Sequence, residues 1–176
     1  MRIGMALPNL PYPPDIRVDK EVEVLLAAGH EVVLLCRGDG ILPAEEHVGG
    51  FTVVRHQTYP DSPVLRKLDS AIFLATMNSP SWRDAMISLV HRHKVQALHL
   101  HDLPYVPSLL TAARATGVPA VLDLHENYPA ALAQWNRLRS SRIFFAPARA
   151  ARLERRVLRL ADRVIVGVDE AKERLV

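Results

Sequence analysis

The chain has 176 residues, 49% of them hydrophobic and 23% charged, an ordinary globular composition whose length suits one domain with a real core. No apolar run approaches the ~20 residues of a membrane span, and the opening MRIGMALPNL is broken too soon by Pro8 to be a signal peptide. The excess of 22 basic over 19 acidic side chains does not imply nucleic acid, and Cys36, the only cysteine, leaves no disulfide framework or cysteine-based zinc site. These features fit a cytoplasmic protein.

Apolar strand-like runs alternate with helical patterns along the chain. RIGMAL (2–7) reads as the first strand. A helix is expected from Ile16 to Ala28, with Asp15 as N-cap, Val18, Val22, Leu25 and Leu26 at helical spacing, and Gly29 as the residue that stops it. EVVLLC (31–36) is the second strand, a turn-rich stretch with four glycines follows, and FTVVRH (51–56) is the third. Residues 63–94 read as helical, interrupted by NSPS at 78–81. VQALHLH (95–101) is the fourth strand, followed by a helix over 104–116 closed by Gly117. PAVLDLH (119–125) is the fifth strand, helical patterns fill 130–139 and 147–161, and DRVIVGV (162–168) is the sixth. This alternation predicts an α/β, Rossmann-like, doubly wound and mostly parallel six-stranded sheet, in the order 3-2-1-4-5-6, with helices on both faces. The helix opened at Asp169 has room for only about two turns before Val176, so the chain is expected to continue into a longer protein.

In such a sheet, ligands bind at the carboxyl ends of the strands. Three polar clusters fall there. PNLPYPPDIR follows the first strand and brings Asp15 and Arg17; HLHDLPY ends the fourth with His101 and Asp102; the fifth runs into His125, Glu126 and Asn127. With strands one and four adjacent, all three converge on one crevice. Each cluster also has a plainer reading: Asp15 as a cap beside a paired or solvated Arg17, Asp102 and His125 as solvated loop or cap residues. His99, two residues before His101 on the same strand face, reads as a hydrogen-bonded core histidine.

Other chemistries have weaker signals. His101, Asp102, His125 and Glu126 could supply imidazole and carboxylate ligands to a hydrolytic metal, though no H-E-x-x-H is present. No G-x-G-x-x-G follows the first strand, no Walker sequence occurs, and Ser79 and Ser108 lack a nucleophile elbow. From Arg137 to Arg163 there are nine arginines and only two acids, Glu154 and Asp162. In the helix at 147–161, Leu153, Val157, Leu160 and Ala161 form an apolar face, with Arg152, Arg155, Arg156 and Arg159 opposite. That side is either a solvated helix face or a basic surface for anionic lipid or a phosphorylated acceptor.

Four segments together resemble the N-terminal domain of GT-B glycosyltransferases of the family-4-like group: PPDIRVDKEVEVLLAAGHEVVLLC (13–36), ALHLHDLPYVP (97–107), AVLDLHENYP (120–129) and LERRVLRLADRVIVGVDEAKERL (153–175). The resemblance spans essentially the whole chain and rests on the order and spacing of the four. It implies that residues 1–176 form the acceptor-side domain, and that a C-terminal nucleotide-binding domain lies outside this chain. It further implies transfer of a sugar from a nucleotide-sugar donor to the hydroxyl of a saccharide or lipid-linked acceptor, with retention and with no metal or other cofactor. His125 matches the family's histidine at the reaction centre and is the expected catalytic residue; Asp15, Arg17, His101, Asp102, Glu126 and Asn127 are the expected substrate contacts. A polysaccharide or glycolipid pathway, at the inner face of the membrane, would suit the arginine helix. One departure stands out: Pro11, Pro13, Pro14, Asp15 and Arg17 occupy the first loop, where many relatives have a pair of glycines. The competing class is a stand-alone α/β module that holds a saccharide or phosphate without turnover.

Overall fold

The computed structural model describes residues 1–13, 15–101, 103–124, 127–135, 146–167 and 173. Its strands are β1 (Arg2–Leu7), β2 (Glu31–Arg37), β3 (Glu45–Val48), β4 (Phe51–His56), β5 (Ala97–His101), β6 (Ala120–Leu124) and β7 (Arg163–Val166). The described helices are α1 (Ile16–Ala27), α2 (Pro63–Thr76), α3 (Pro80–His93), α4 (Val106–Thr116), α5 (Tyr128–Trp135) and α6 (Pro147–Leu158).

The strands form one seven-stranded sheet in the order β3-β4-β2-β1-β5-β6-β7. All neighbours are parallel except β3 and β4. The six expected strands therefore keep their expected order, and the correction is a seventh strand at the edge. Residues 45–48 read Glu-Glu-His-Val, with no apolar alternation to mark a strand. What makes them one is the turn that follows. Val48 pairs with Phe51 across a two-residue connection, Gly49 and Gly50, both at positive φ (57° and 91°). That backbone is the tight hairpin turn that glycine permits and other residues resist. The charged side chains also suit an exposed sheet edge.

The helix boundaries follow their caps. Asp15 accepts from the amides of Arg17 and Val18 at the start of α1, and Gly29 follows its last turn at φ 78°. Ser62 and Ser79 cap α2 and α3 in the same way, each followed by proline in the first turn. NSPS thus acts as a helix start, and the preceding helix stops at Met77, which is left-handed at φ 57°.

Period-two alternation sends successive side chains to opposite faces of the sheet. One face carries Ala6, Val33, Leu35, Leu98, Leu100, Leu122 and Leu124, packed under α3, α4 and α6. Gly4 lies on this side because there is no room for more: a Cβ there would stand 3.0 Å from Leu98 and Val95 side chains. The opposite face carries Ile3, Met5, Leu7, Val32, Leu34, Cys36, Phe51 and Val53, packed under Val18 and Val22 of α1.

Candidate functional site

The switch point lies between β1 and β5, whose neighbours on either side are β2 and β6. At the carboxyl end of β1, the proline-rich loop is held from beneath by Arg55. This buried guanidinium donates from Nε and Nη2 to Tyr12 O (3.3 and 3.1 Å) and from Nη1 to Pro43 O (2.9 Å), and pairs with Glu46. Tyr12 packs edge-on against Phe51 at 5.7 Å and donates to Asp19 Oδ1 at 2.5 Å; its burial, with the Asp19 hydrogen bond and charge, pushes its phenol pKa up. Asn9 Nδ2 donates to Leu103 O at 3.4 Å, joining this loop to the one after β5. The loop is thus fixed by side chains rather than adapted by glycines.

Asp15 and Arg17 sit together at this edge. Asp15 is buried and caps α1, and the Arg17 guanidinium reaches its Oδ2 at 3.2 Å. Burial pushes the Asp15 carboxyl up, but the hydrogen bond and charge of Arg17 and the two backbone amides hold its pKa below the ordinary value. The capping reading and the crevice reading therefore coincide in position. Asn127 is exposed and accepts from Ala130 N through Oδ1 (3.3 Å) at the start of α5. Asp102, His125 and Glu126 lie outside the described residues. Arg152, Arg155, Arg156 and Arg159 are all exposed, while Ala150, Glu154 and Val157 of α6 are buried.

Below the crevice, the α1 face of the sheet changes character. Register places Met5 beside His99, His99 beside Val121, and His101 beside Asp123. The two histidines and the aspartate thus share one face, two strands wide, under α1. Their exposures are 9% for His99 and 1% each for His101 and Asp123. The imidazoles stack with centroids 4.6 Å apart. Glu21 descends from α1 onto them: its Oε2 lies 3.3 Å from His101 Nε2 and 3.8 Å from His99 Nε2. Asp123 Oδ2 lies 3.4 Å from His99 Nε2 and 3.5 Å from His101 Nδ1. Burial, followed by the charge and hydrogen bond of Asp123, pushes the Glu21 pKa up to about 8, against the opposing pull of Arg17.

His99 is buried as expected, but its Nε2 lacks the expected hydrogen bond, and it belongs to a quartet of which two members escaped the sequence reading. Both had a signal. Asp123 is a lone acid inside the apolar run AVLDL. Glu21 lies three residues after Val18 and four before Leu25, inside the apolar stripe of α1. His101 is the one residue shared with the ligand set considered from sequence, and it lies beneath the crevice floor.

Residues 16–176 match the family model described as a glycosyl transferase 4-like domain. No curated protein matches the sequence. Among solved structures, sucrose-phosphate synthase from Thermosynechococcus elongatus superposes with a TM-score of 0.69 at 18% identity, over 99% of this chain and 44% of that one. MurG from Acinetobacter baumannii gives 0.55 at 14% identity, over 95% and 41%. Os79 from O. sativa, in complex with UDP, gives 0.56 at 17% identity, over 94% and 46%. The chain spans less than half the length of these three structures.

Proposed function

Because the chain belongs to the glycosyl transferase 4-like family, we propose that it forms the acceptor-side domain of an enzyme that moves a sugar from a nucleotide-sugar donor to an acceptor hydroxyl. The observation that carries this reading is the family's fold with buried Asp15 paired to Arg17 at the start of α1, which follows β1 at the switch point. In sequence, Asp102 follows β5, and His125, Glu126 and Asn127 follow β6. The second domain, outside this chain, would hold the nucleotide. The UDP bound by Os79 supports a nucleoside diphosphate as leaving group.

In the transfer, the bond from the anomeric carbon to the diphosphate oxygen breaks and a bond to the acceptor oxygen forms on the same face, with retention. The acceptor proton passes to the departing phosphate. His125 follows directly on β6, a rigid element, and a neutral imidazole both donates and accepts a hydrogen bond. Its role is to steady the donor sugar as charge develops near the anomeric carbon. Arg17 and Asp15 hold the acceptor side of the crevice, Asp102, Glu126 and Asn127 are the further substrate contacts of this reading, and His101 supports its floor from below. No metal is assigned to the reacting phosphates; basic side chains and helix dipoles of the second domain would stabilise them. His125→Ala in the purified enzyme is expected to lower turnover about 10²–10³-fold. A folded variant with nearly full activity would overturn the assignment.

A second part of the proposal concerns place. No helix among the described residues is long and apolar enough to cross a membrane. The exposed row Arg152, Arg155, Arg156 and Arg159 supports peripheral attachment to an anionic inner leaflet, where a lipid-linked acceptor would be presented. Each basic group near such a surface contributes about 1 kcal/mol. Replacing all four with glutamine is expected to weaken flotation with phosphatidylserine vesicles by roughly 10³-fold at low salt. Equal binding by both proteins would mean that the row is only a solvated face.

A further inference from the structure

The quartet beneath the crevice holds one buried ring nitrogen that no hydrogen bond accounts for. His99 Nε2 is buried and makes no hydrogen bond, although Asp123 Oδ2 is only 3.4 Å away. One donor atom from each of Glu21, His99, His101 and Asp123 lies within 4.8 Å of the other three. Four ligands at 2.0–2.2 Å around a tetrahedral ion stand about 3.3–3.6 Å from one another. The separations of 3.3, 3.4 and 3.8 Å already approach that spacing. The geometry points to a binding site for one divalent transition-metal ion of the zinc class, held by Glu21, His99, His101 and Asp123.

The donor set selects the class of ion. Two imidazoles and two carboxylates suit zinc, cobalt or iron(II), whereas magnesium and calcium take all-oxygen shells. Glu21 and His99 also line an open, largely apolar cavity of about 550 Å³ with Ile3, Val24, Leu25 and Val121, through which an ion can enter. Bound there, the ion would tie α1, which Asp15 caps and Arg17 opens, to β5 and β6. It would act as a structural clamp, independent of the reading of the transfer reaction.

The test is a cobalt titration of the purified, chelator-stripped protein. One Co²⁺ per chain is expected, with the visible absorption of a four-coordinate ion, and Zn²⁺ should displace it. Glu21→Gln is expected to weaken binding at least about 100-fold, because even an indirect partner of a ligand is worth 10–100-fold. Asp123→Asn should abolish the absorption. His93→Ala, a histidine close to Glu45 on another part of the surface, should leave binding unchanged. Glu21 is half-buried and on a helix, so its glutamine variant keeps shape and decides the matter even if Asp123→Asn fails to fold. Absence of a saturable four-coordinate site in the wild type, or equal affinity in Glu21→Gln, would overturn the proposal and leave the quartet a protonated ion-pair network.

Discussion

The two faces of β5 are made of alternate residues of one pentapeptide, Ala-Leu-His-Leu-His, and they do opposite things. Leu98 and Leu100 point under α3 and α4 into an apolar cluster, and both are fully buried. His99 and His101 point under α1, where they meet Asp123 and Glu21. The apolar face gains stability from area removed from water. The other face places charge beneath the strand ends, where a crevice needs support. One strand thus belongs both to the core and to the site, and the two can be perturbed separately.

The largest stability effect belongs to the apolar face. Leu100→Ala is expected to cost about 2–5 kcal/mol, since the packed layer closes only partly over the space left. Urea denaturation measures it, and a cost under 1 kcal/mol would mean that this face carries less of the stability than its burial indicates. A smaller effect is expected across the sheet. Asp15→Ala removes the α1 cap and the partner of Arg17, and should cost about 1 kcal/mol. Because Glu21 lies on the same helix, the variant should also disturb the quartet, readable as weaker cobalt binding at unchanged protein concentration.

The smallest effect is a pH dependence at the edge of the apolar face. His56 is packed edge-on against Trp82 at 4.9 Å, and its Nε2 lies 2.7 Å from Ser81 Oγ. Burial pushes its pKa below the ordinary value, against the pull of Asp69. Near pH 6.5 the unfolded chain therefore binds more protons at this position than the folded one, so stability falls as pH drops through that value. His56→Gln should remove this contribution to the slope of stability between about pH 7 and 5. An unchanged slope would mean that the ring is protonated without strain where it stands.

The sequence by itself determined the architecture. The strand order across β4-β2-β1-β5-β6-β7 follows from β/α alternation and right-handed crossovers, and the starts of α1, α2 and α3 follow from Asp15, Ser62 and Ser79. These are local signals, carried by spacing and cap chemistry within a few residues. Part of the site was legible in the same way, because His99 and His101 share a face by period two, and His101 and Asp15 fall at strand ends. Tertiary structure alone decided three things. It made Glu45–Val48 a strand, since a short charged segment pairs only when a hairpin turn delivers it to an open edge. It fixed the proline loop through Arg55, whose guanidinium reaches Tyr12 across 43 positions of sequence. And it joined Glu21 and Asp123 to the histidines, because strand register and helix docking bring together residues that no local pattern connects: periodicity tells which way a side chain points, and packing decides what it meets.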